Sequence, residues 1–320
     1  MSGAFALLSA LTSVAAPAPR PSDAAPLAQI EVVGEQPGPG LWKVTKGDHV
    51  MWLLGTLNHV PARMQWHSRA VLSALDDSQE LLASGPAVSA HAGPIMLLRL
   101  YLQWRGMQKD PGGTRLRDWL PAPLYGRFET LKERYDAHDG RIEKLRPPFA
   151  ALRLYRRALD AAGLTRRDEI ERTVLGLARR RHIPITHARL EVPEPLRTLK
   201  QVRALSPAVE VDCLATTIER LESDLPAMQQ RAQAWAVGDV QRLRALPYPD
   251  QREVCIEALS AAPTVRTLVD NASQAWISAA EAALNAHRVS FALQPIYQLL
   301  AADGPLARFR AEGYQVRSPD

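Results

Sequence analysis

Cysteine is nearly absent: Cys213 and Cys255 are the only two in 320 residues. Neither has a partner at CxxC spacing, which excludes cysteine-based zinc modules and densely cross-linked small scaffolds. No long block of one charge sign occurs. The formal charge is +5, but acidic and basic residues interleave, as in LKERYDAHDGRIEKLR, so the chain lacks the basic arm that marks many nucleic-acid binders. The densest basic run, ARRRH at 178–182, follows Asp168, Glu169 and Glu171 and reads as a solvated helix end with its cations near the last carbonyls. No apolar run reaches the roughly 20 residues of a membrane-spanning helix. HExxH, Gly-x-Ser-x-Gly and the phosphate-binding GxxxxGK[ST] loop are all missing, which removes the sequence marks of three large hydrolase classes.

What is present begins with an apolar stretch, Ala4 to Val14, followed by the small residues Ala16-Pro17-Ala18. Residues 1–18 have the length and ending of a secretory leader, although no Lys or Arg precedes the apolar core. Residues 19–39, rich in Pro and Ala, read as a tether. The expectation is export to the periplasm or the cell exterior, with no transmembrane span once the leader is removed. In an oxidising compartment the pair Cys213 and Cys255 is a candidate disulfide, with two buried thiols as the alternative. The flanking segments suggest antiparallel helices: Asp212 to Trp235 repeats Leu214, Ile218, Leu221, Leu225 and Met228 at helical spacing, broken near Pro226, and Asp250 to Ser260 follows the Pro247-Tyr248-Pro249 turn.

Along the chain, Gly40–Val44 and Val50–Leu54 flank Lys46-Gly47-Asp48 and predict a hairpin. Ser68 opens a helix that turns Val71, Leu72 and Leu75 inward, and a short strand follows at Glu80–Ala83. Helical patterning fills 94–162, then 168–181, then about 206–287, with a short strand at Ile183–Thr186 between. Val289–Leu293 and Gly313–Arg317 predict closing strands. The expected fold is α/β (α+β): a central mixed sheet built from N- and C-terminal strands, in one domain at 40–318, covered by a large helical middle region at about 94–287.

The stretch LWKVTKGDHVMWLLGTLNHVP, with the later DDSQELLAS and the closing VSFALQPIYQLLAADGPLARFRAEGYQVR, resembles the two ends of TraB/GumN-family proteins, which include the Tiki proteases. The resemblance covers nearly the whole mature length in element order. It implies a metal-dependent hydrolase fold in which two His and carboxylates hold a divalent ion that polarises a carbonyl and activates water. The motif positions fall here on Gly55, Thr56 and Asn58, on Ser84, on Arg189 and on Gln298. Asn58 and Gln298 stand where the family has His, while Ser84 and Arg189 stand where it has acids. Pro295 and Tyr297 replace two glycines.

Two functions follow from these substitutions. The first is a catalytically inactive relative with no cofactor, which binds an envelope partner: a protein, a peptide or a polymer. The second is a hydrolase with a rebuilt Mn, Co or Zn centre using His59 and His187, with acids such as Glu191. The second requires His59 and His187 to converge on one point, although neighbouring residues of an extended segment face opposite ways and His59 follows the motif position by one. The remaining histidines are scattered and form no ligand spacing. Trp66 and Trp104 are candidates to line a cleft left by the former active site.

Overall fold

The computed structural model describes residues 38–64, 66, 68–89, 93–136, 140–246 and 255–319. The leader expected at 1–18, nearly all of the tether expected at 19–39, the expected 247–249 turn, and His67, His91 and His138 lie outside them.

Strands β1 (Leu41–Lys46) and β2 (His49–Thr56) pair antiparallel, with Lys46 opposite His49 across a two-residue turn. Gly47 takes φ 62 there, the left-handed conformation such turns require. Helix α1 (Arg69–Asp76) starts where the Ser68 hydroxyl accepts from Val71 N at 3.2 Å. Its buried residues are Val71, Ala74 and Leu75; Leu72, expected inside, is half-buried because the inward stripe runs through Ala74. Then come β3 (Leu81–Leu82), β4 (Ala87–Ser89), α2 (Pro94–Met107), α3 (Leu116–Trp119), α4 (Ala122–Asp136), a 3-10 turn at Gly140–Lys144, α5 (Pro147–Ala161) and α6 (Glu169–Arg180). β5 (Ile185–Thr186), β6 (Arg189–Glu191), α7 (Pro195–Arg203), α8 (Pro207–Ser223), α9 (Leu225–Ala236), α10 (Val240–Ala245), α11 (Ile256–Leu259) and α12 (Pro263–Ala286) follow. The chain closes with β7 (Val289–Pro295), α13 (Ile296–Leu300), α14 (Pro305–Ala311) and β8 (Gln315–Arg317).

Proline starts many of these helices. Pro sits in the first turn of α2, α5, α7, α8, α9, α12 and α14, where its missing N–H costs nothing and its fixed φ suits the helix.

The main sheet has the order β5-β3-β7-β2-β1-β8. Its inner pairs, β2 with β7, β7 with β3 and β3 with β5, are parallel; β1 and β8 add antiparallel at one side. N- and C-terminal strands therefore share the sheet. The short strands expected at Glu80–Ala83 and Ile183–Thr186 are β3 and β5, which pair in the sheet; the helical middle needs one correction, since β6 lies within it and pairs with β4 in a separate parallel ribbon. β4 and β6 are three residues each, too short for alternation to announce them.

Parallel strands covered on both faces read as continuous apolar runs, and β7 keeps Ser290 through Gln294 buried. One core gathers around this sheet, with Trp42, Leu53, Phe291 and Trp276. A second lies among α3, α4, α5 and α8, built from Phe128, Leu154, Leu214 and Ile218 among others. Leu214, Ile218, Leu221, Leu225 and Met228 all enter it. Cys213 and Cys255 are disulfide-bonded at its edge, with Cα atoms 4.9 Å apart.

Candidate functional site

The four parallel strands end on one side of the sheet. Ligand sites of such sheets lie outside these carboxyl ends, and here three motif segments meet: Thr56 to His59 after β2, Ser84 after β3, and Gln294 to Gln298 at the end of β7.

Gly55 is fixed by close approach. A Cβ there would sit 2.7 Å from Ile296, and its carbonyl accepts from Trp235 Nε1 at 2.6 Å, so α9 is tied to the strand end. Thr56 is buried, its hydroxyl beside the Asp168 carboxylate without completing a hydrogen bond of standard geometry. His59 packs against the helical layer. Its Nδ1 lies 2.9 Å from Thr165 O, and its ring meets Tyr155 edge-on at 5.5 Å. Thr165 N donates to Val60 O at 2.8 Å and Val60 N donates to the Thr165 hydroxyl at 3.2 Å, which fastens this loop to the link between α5 and α6.

At the second position, Ser84 donates from Oγ to Glu171 Oε2 at 2.6 Å and from N to Glu171 Oε1 at 3.0 Å. An acid from α6 thus reaches the place where the resemblance expects an acid on the strand. At the third, Gln294 Nε2 donates to Gln298 Oε1, and Gln298 Nε2 donates to Tyr297 Oη at 3.1 Å. Gln294 is buried and its own carbonyl oxygen has no partner among the described residues.

Arg189 is not at this edge: it is exposed on β6, in the β4–β6 ribbon beyond the sheet. His187 is exposed and its Nδ1 lies 3.1 Å from Gly85 O. β5 stands three strand spacings from β2, roughly 14 Å, so His59 and His187 are not brought to one point. Glu191 is exposed on the same ribbon as Arg189. Among the described residues no three His, Cys, Asp or Glu gather as a metal-binding group.

Beside Asn58 and His59 opens a cavity of about 560 Å³. Trp104, Phe149 and Tyr155 give it aromatic wall, and Trp104 meets Phe149 edge-on at 5.1 Å. Trp66 does not line it, because that ring packs on Trp235 at 5.1 Å as part of the sheet core. On the polar side lie Arg156, Arg167, Asp168 and Asp224. Arg156 and Arg167 are exposed and pair with no carboxylate among the described residues. Burial pushes the Tyr155 phenol up to about 12, reinforced by the Asp224 charge.

Asp168 and Glu171 are the two site residues that sequence reasoning missed. Their spacing ahead of an apolar helix is an N-terminal capping pattern, and Asp168 caps α6, accepting from Glu171 N at 2.8 Å. Burial pushes the Asp168 carboxyl up to about 6, against the opposing effect of that N–H. An unfolded Asp titrates near 4, so the folded state holds this proton more tightly. Its contribution is fully favourable below about pH 4 and is lost as pH rises through about 6. Asp168→Asn keeps a capping oxygen and removes that loss. Urea unfolding is expected to find the variant about 1 kcal/mol more stable than the parent at pH 8, with little difference at pH 4, since Asp168 keeps some solvent contact. Equal stabilities at pH 8 would show a solvated carboxylate.

No curated protein and no solved structure matches the chain. The profile of the TraB/PrgY/gumN family matches residues 40–318. That span includes every strand and helix described above together with the three motif segments at the sheet edge, and the chain belongs to the TraB/PrgY/gumN family.

Proposed function

We propose that this protein keeps the family fold and uses the helix-lined cavity beside Asn58 and His59 to bind a ligand, without hydrolysing it. The observation that carries this reading is the donor set. Where the resemblance places His and acids, the strand ends present Asn58, Ser84 and Gln298, and the last two are engaged with Glu171 and with Gln294 and Tyr297. Neutral amides bind transition metals far less well than imidazole, and a catalytic zinc-type centre takes three protein ligands. These residues do not fit the divalent ion of the family's hydrolases.

The cavity favours a ligand of mixed character. Arg156 and Arg167 supply unpaired cations, and Trp104, Phe149 and Tyr155 supply aromatic surface, so a negatively charged segment with an apolar or aromatic body complements both. An acidic peptide of an envelope protein has that chemistry. Export is part of the proposal, supported by the leader at 1–18 and by the Cys213–Cys255 bond.

The test is calorimetric titration of the full chain with Mn²⁺, Co²⁺ and Zn²⁺, and separately with acidic peptides carrying aromatic residues. The expected result is no stoichiometric metal uptake, and peptide binding weakened about tenfold by Arg156→Glu with Arg167→Glu. One-to-one metal uptake that His59→Ala abolishes, accompanied by peptide cleavage, would overturn the reading in favour of a rebuilt hydrolase.

A further inference from the structure

Eight large apolar side chains stand exposed among the described residues, and six of them lie on α2. Ile95 is 71% exposed, Leu97 56%, Leu98 57%, Tyr101 54%, Leu102 56% and Trp104 44%. The inward positions, at helical spacing, are Met96, Leu100, Gln103 and Met107, of which only Met107 is buried. This helix is therefore at least as apolar toward solvent as toward the protein, the reverse of what core packing alone produces. Six large apolar side chains exposed on one helix form a contiguous patch of the kind that marks an interaction surface.

The charge around the patch is of one sign. No Asp or Glu occurs from Gly85 to Lys109, while Arg99, Arg105 and Lys109 do. Helix α7, which packs against α2, adds Lys200 and Arg203. None of these five cations pairs with a carboxylate among the described residues; Arg105 instead lies 6.0 Å from the centroid of the Tyr101 ring. Acids close by in the chain are engaged elsewhere, Glu194 with Arg197 at 2.8 Å and Asp110 with the Thr114 hydroxyl at 2.7 Å, and Glu210 pairs with Arg146.

We propose that α2 is an interfacial helix that docks this protein onto an anionic lipid bilayer, lying in the headgroup plane with Leu97, Leu98, Tyr101 and Leu102 inserted. An exposed apolar face with a Tyr and a Trp, flanked by unpaired cations, complements a surface that is apolar beneath and negatively charged at its headgroups. The helix is 14 residues long, roughly 21 Å, too short to cross a bilayer core of about 30 Å. No helix among the described residues is long and apolar enough to cross. A second copy of the chain is the poorer occupant, because a two-fold contact through α2 would set Arg99 and Arg105 against the same cations of the other copy with no acid between them. Trp104 and Met107 also line the cavity, so docking would hold the cavity beside the lipid surface. This inference stands independently of what the cavity binds.

The test is vesicle flotation of the full chain, with vesicles rich in phosphatidylglycerol and with vesicles of phosphatidylcholine alone. Binding is expected to the anionic vesicles, to weaken with salt, and to fall roughly tenfold or more for the pair Leu98→Glu and Leu102→Glu. Both positions are exposed, so the melting temperature should not move. Brominated acyl chains should quench tryptophan emission in the parent and quench it less in Trp104→Phe. Undiminished binding by the Leu98/Leu102 variant would place the lipid contact elsewhere, in the 1–18 segment for instance, and would overturn the proposal. So would a dimeric parent that this variant converts to monomer without any vesicle binding.

Discussion

Replacing Arg231 by Met is expected to lower the stability of the folded protein by about 3–5 kcal/mol. Arg231 on α9 is 1% exposed, and its guanidinium lies 2.7 Å from Asp224, itself 4% exposed, in the break between α8 and α9. Two charges taken out of water attract strongly, but each has lost its hydration, so the pair as a whole stabilises little relative to apolar residues of the same shape. Removing one partner is different: the other charge stays buried and uncompensated. Asp224 also borders the cavity and lies near the Tyr155 hydroxyl, whose burial already disfavours negative charge. In Arg231→Met the Asp224 carboxylate stays buried without this cation, and protonation at low pH relieves that charge. The cost of the substitution should therefore be smaller at pH 5 than at pH 8. Adding Asp224→Leu should recover much of the loss, because both partners are then apolar. Urea unfolding of the two single variants and the double variant decides the matter. A loss below about 1 kcal/mol for Arg231→Met would mean that water reaches the pair and that the cavity floor is wet.

The parts of the fold legible in the sequence are those set by neighbours in the chain. The β1–β2 hairpin follows from Gly47 between two apolar runs, α1 from the Ser68 cap, and the helix starts from proline in the first turn. The parts that stayed hidden are made by residues distant in sequence. Glu171 reaches Ser84 across 87 positions and Trp235 reaches the Gly55 carbonyl across 180, and no local pattern encodes either contact. β5 is two residues long, too few to declare its place at the sheet edge. The candidate site divides in the same way. The losses at Asn58, Ser84 and Gln298 are visible in the sequence, and so is the one-residue offset of His59. The acid that returns at Ser84 is visible only once α6 is laid against β3. Arg189 went astray for a related reason: the chain passes the sheet edge at Thr186 and enters a second ribbon three residues later.

The second large effect concerns the covalent link. Reducing Cys213–Cys255, or replacing both residues by Ala, is expected to cost roughly 2–4 kcal/mol, the range for a cross-link closing a loop of this length. The bond joins residues 42 apart in sequence, and Cys213 is 2% exposed within the helical core. Most of the stabilisation comes from restricting the unfolded chain, so the oxidised protein should differ from the reduced one mainly in melting temperature, with a drop on the order of 5–10 °C. Cys255 also borders the cavity and holds φ 74, a left-handed conformation unusual for a residue with a side chain. Once reduced, Cys255 loses its covalent tie to α8 and the adjoining cavity wall can relax, so peptide binding should weaken along with stability. Thermal unfolding and peptide titration with and without a thiol reductant measure both. Loss of stability with binding intact would make the bond a fastening of the helical layer alone. If neither changes, the cross-link contributes nothing, and the cysteine support for an oxidising compartment fails with it, leaving export to rest on residues 1–18. If both fall, the protein needs its disulfide to work, and that requirement is met in the envelope and not in a reducing cytosol.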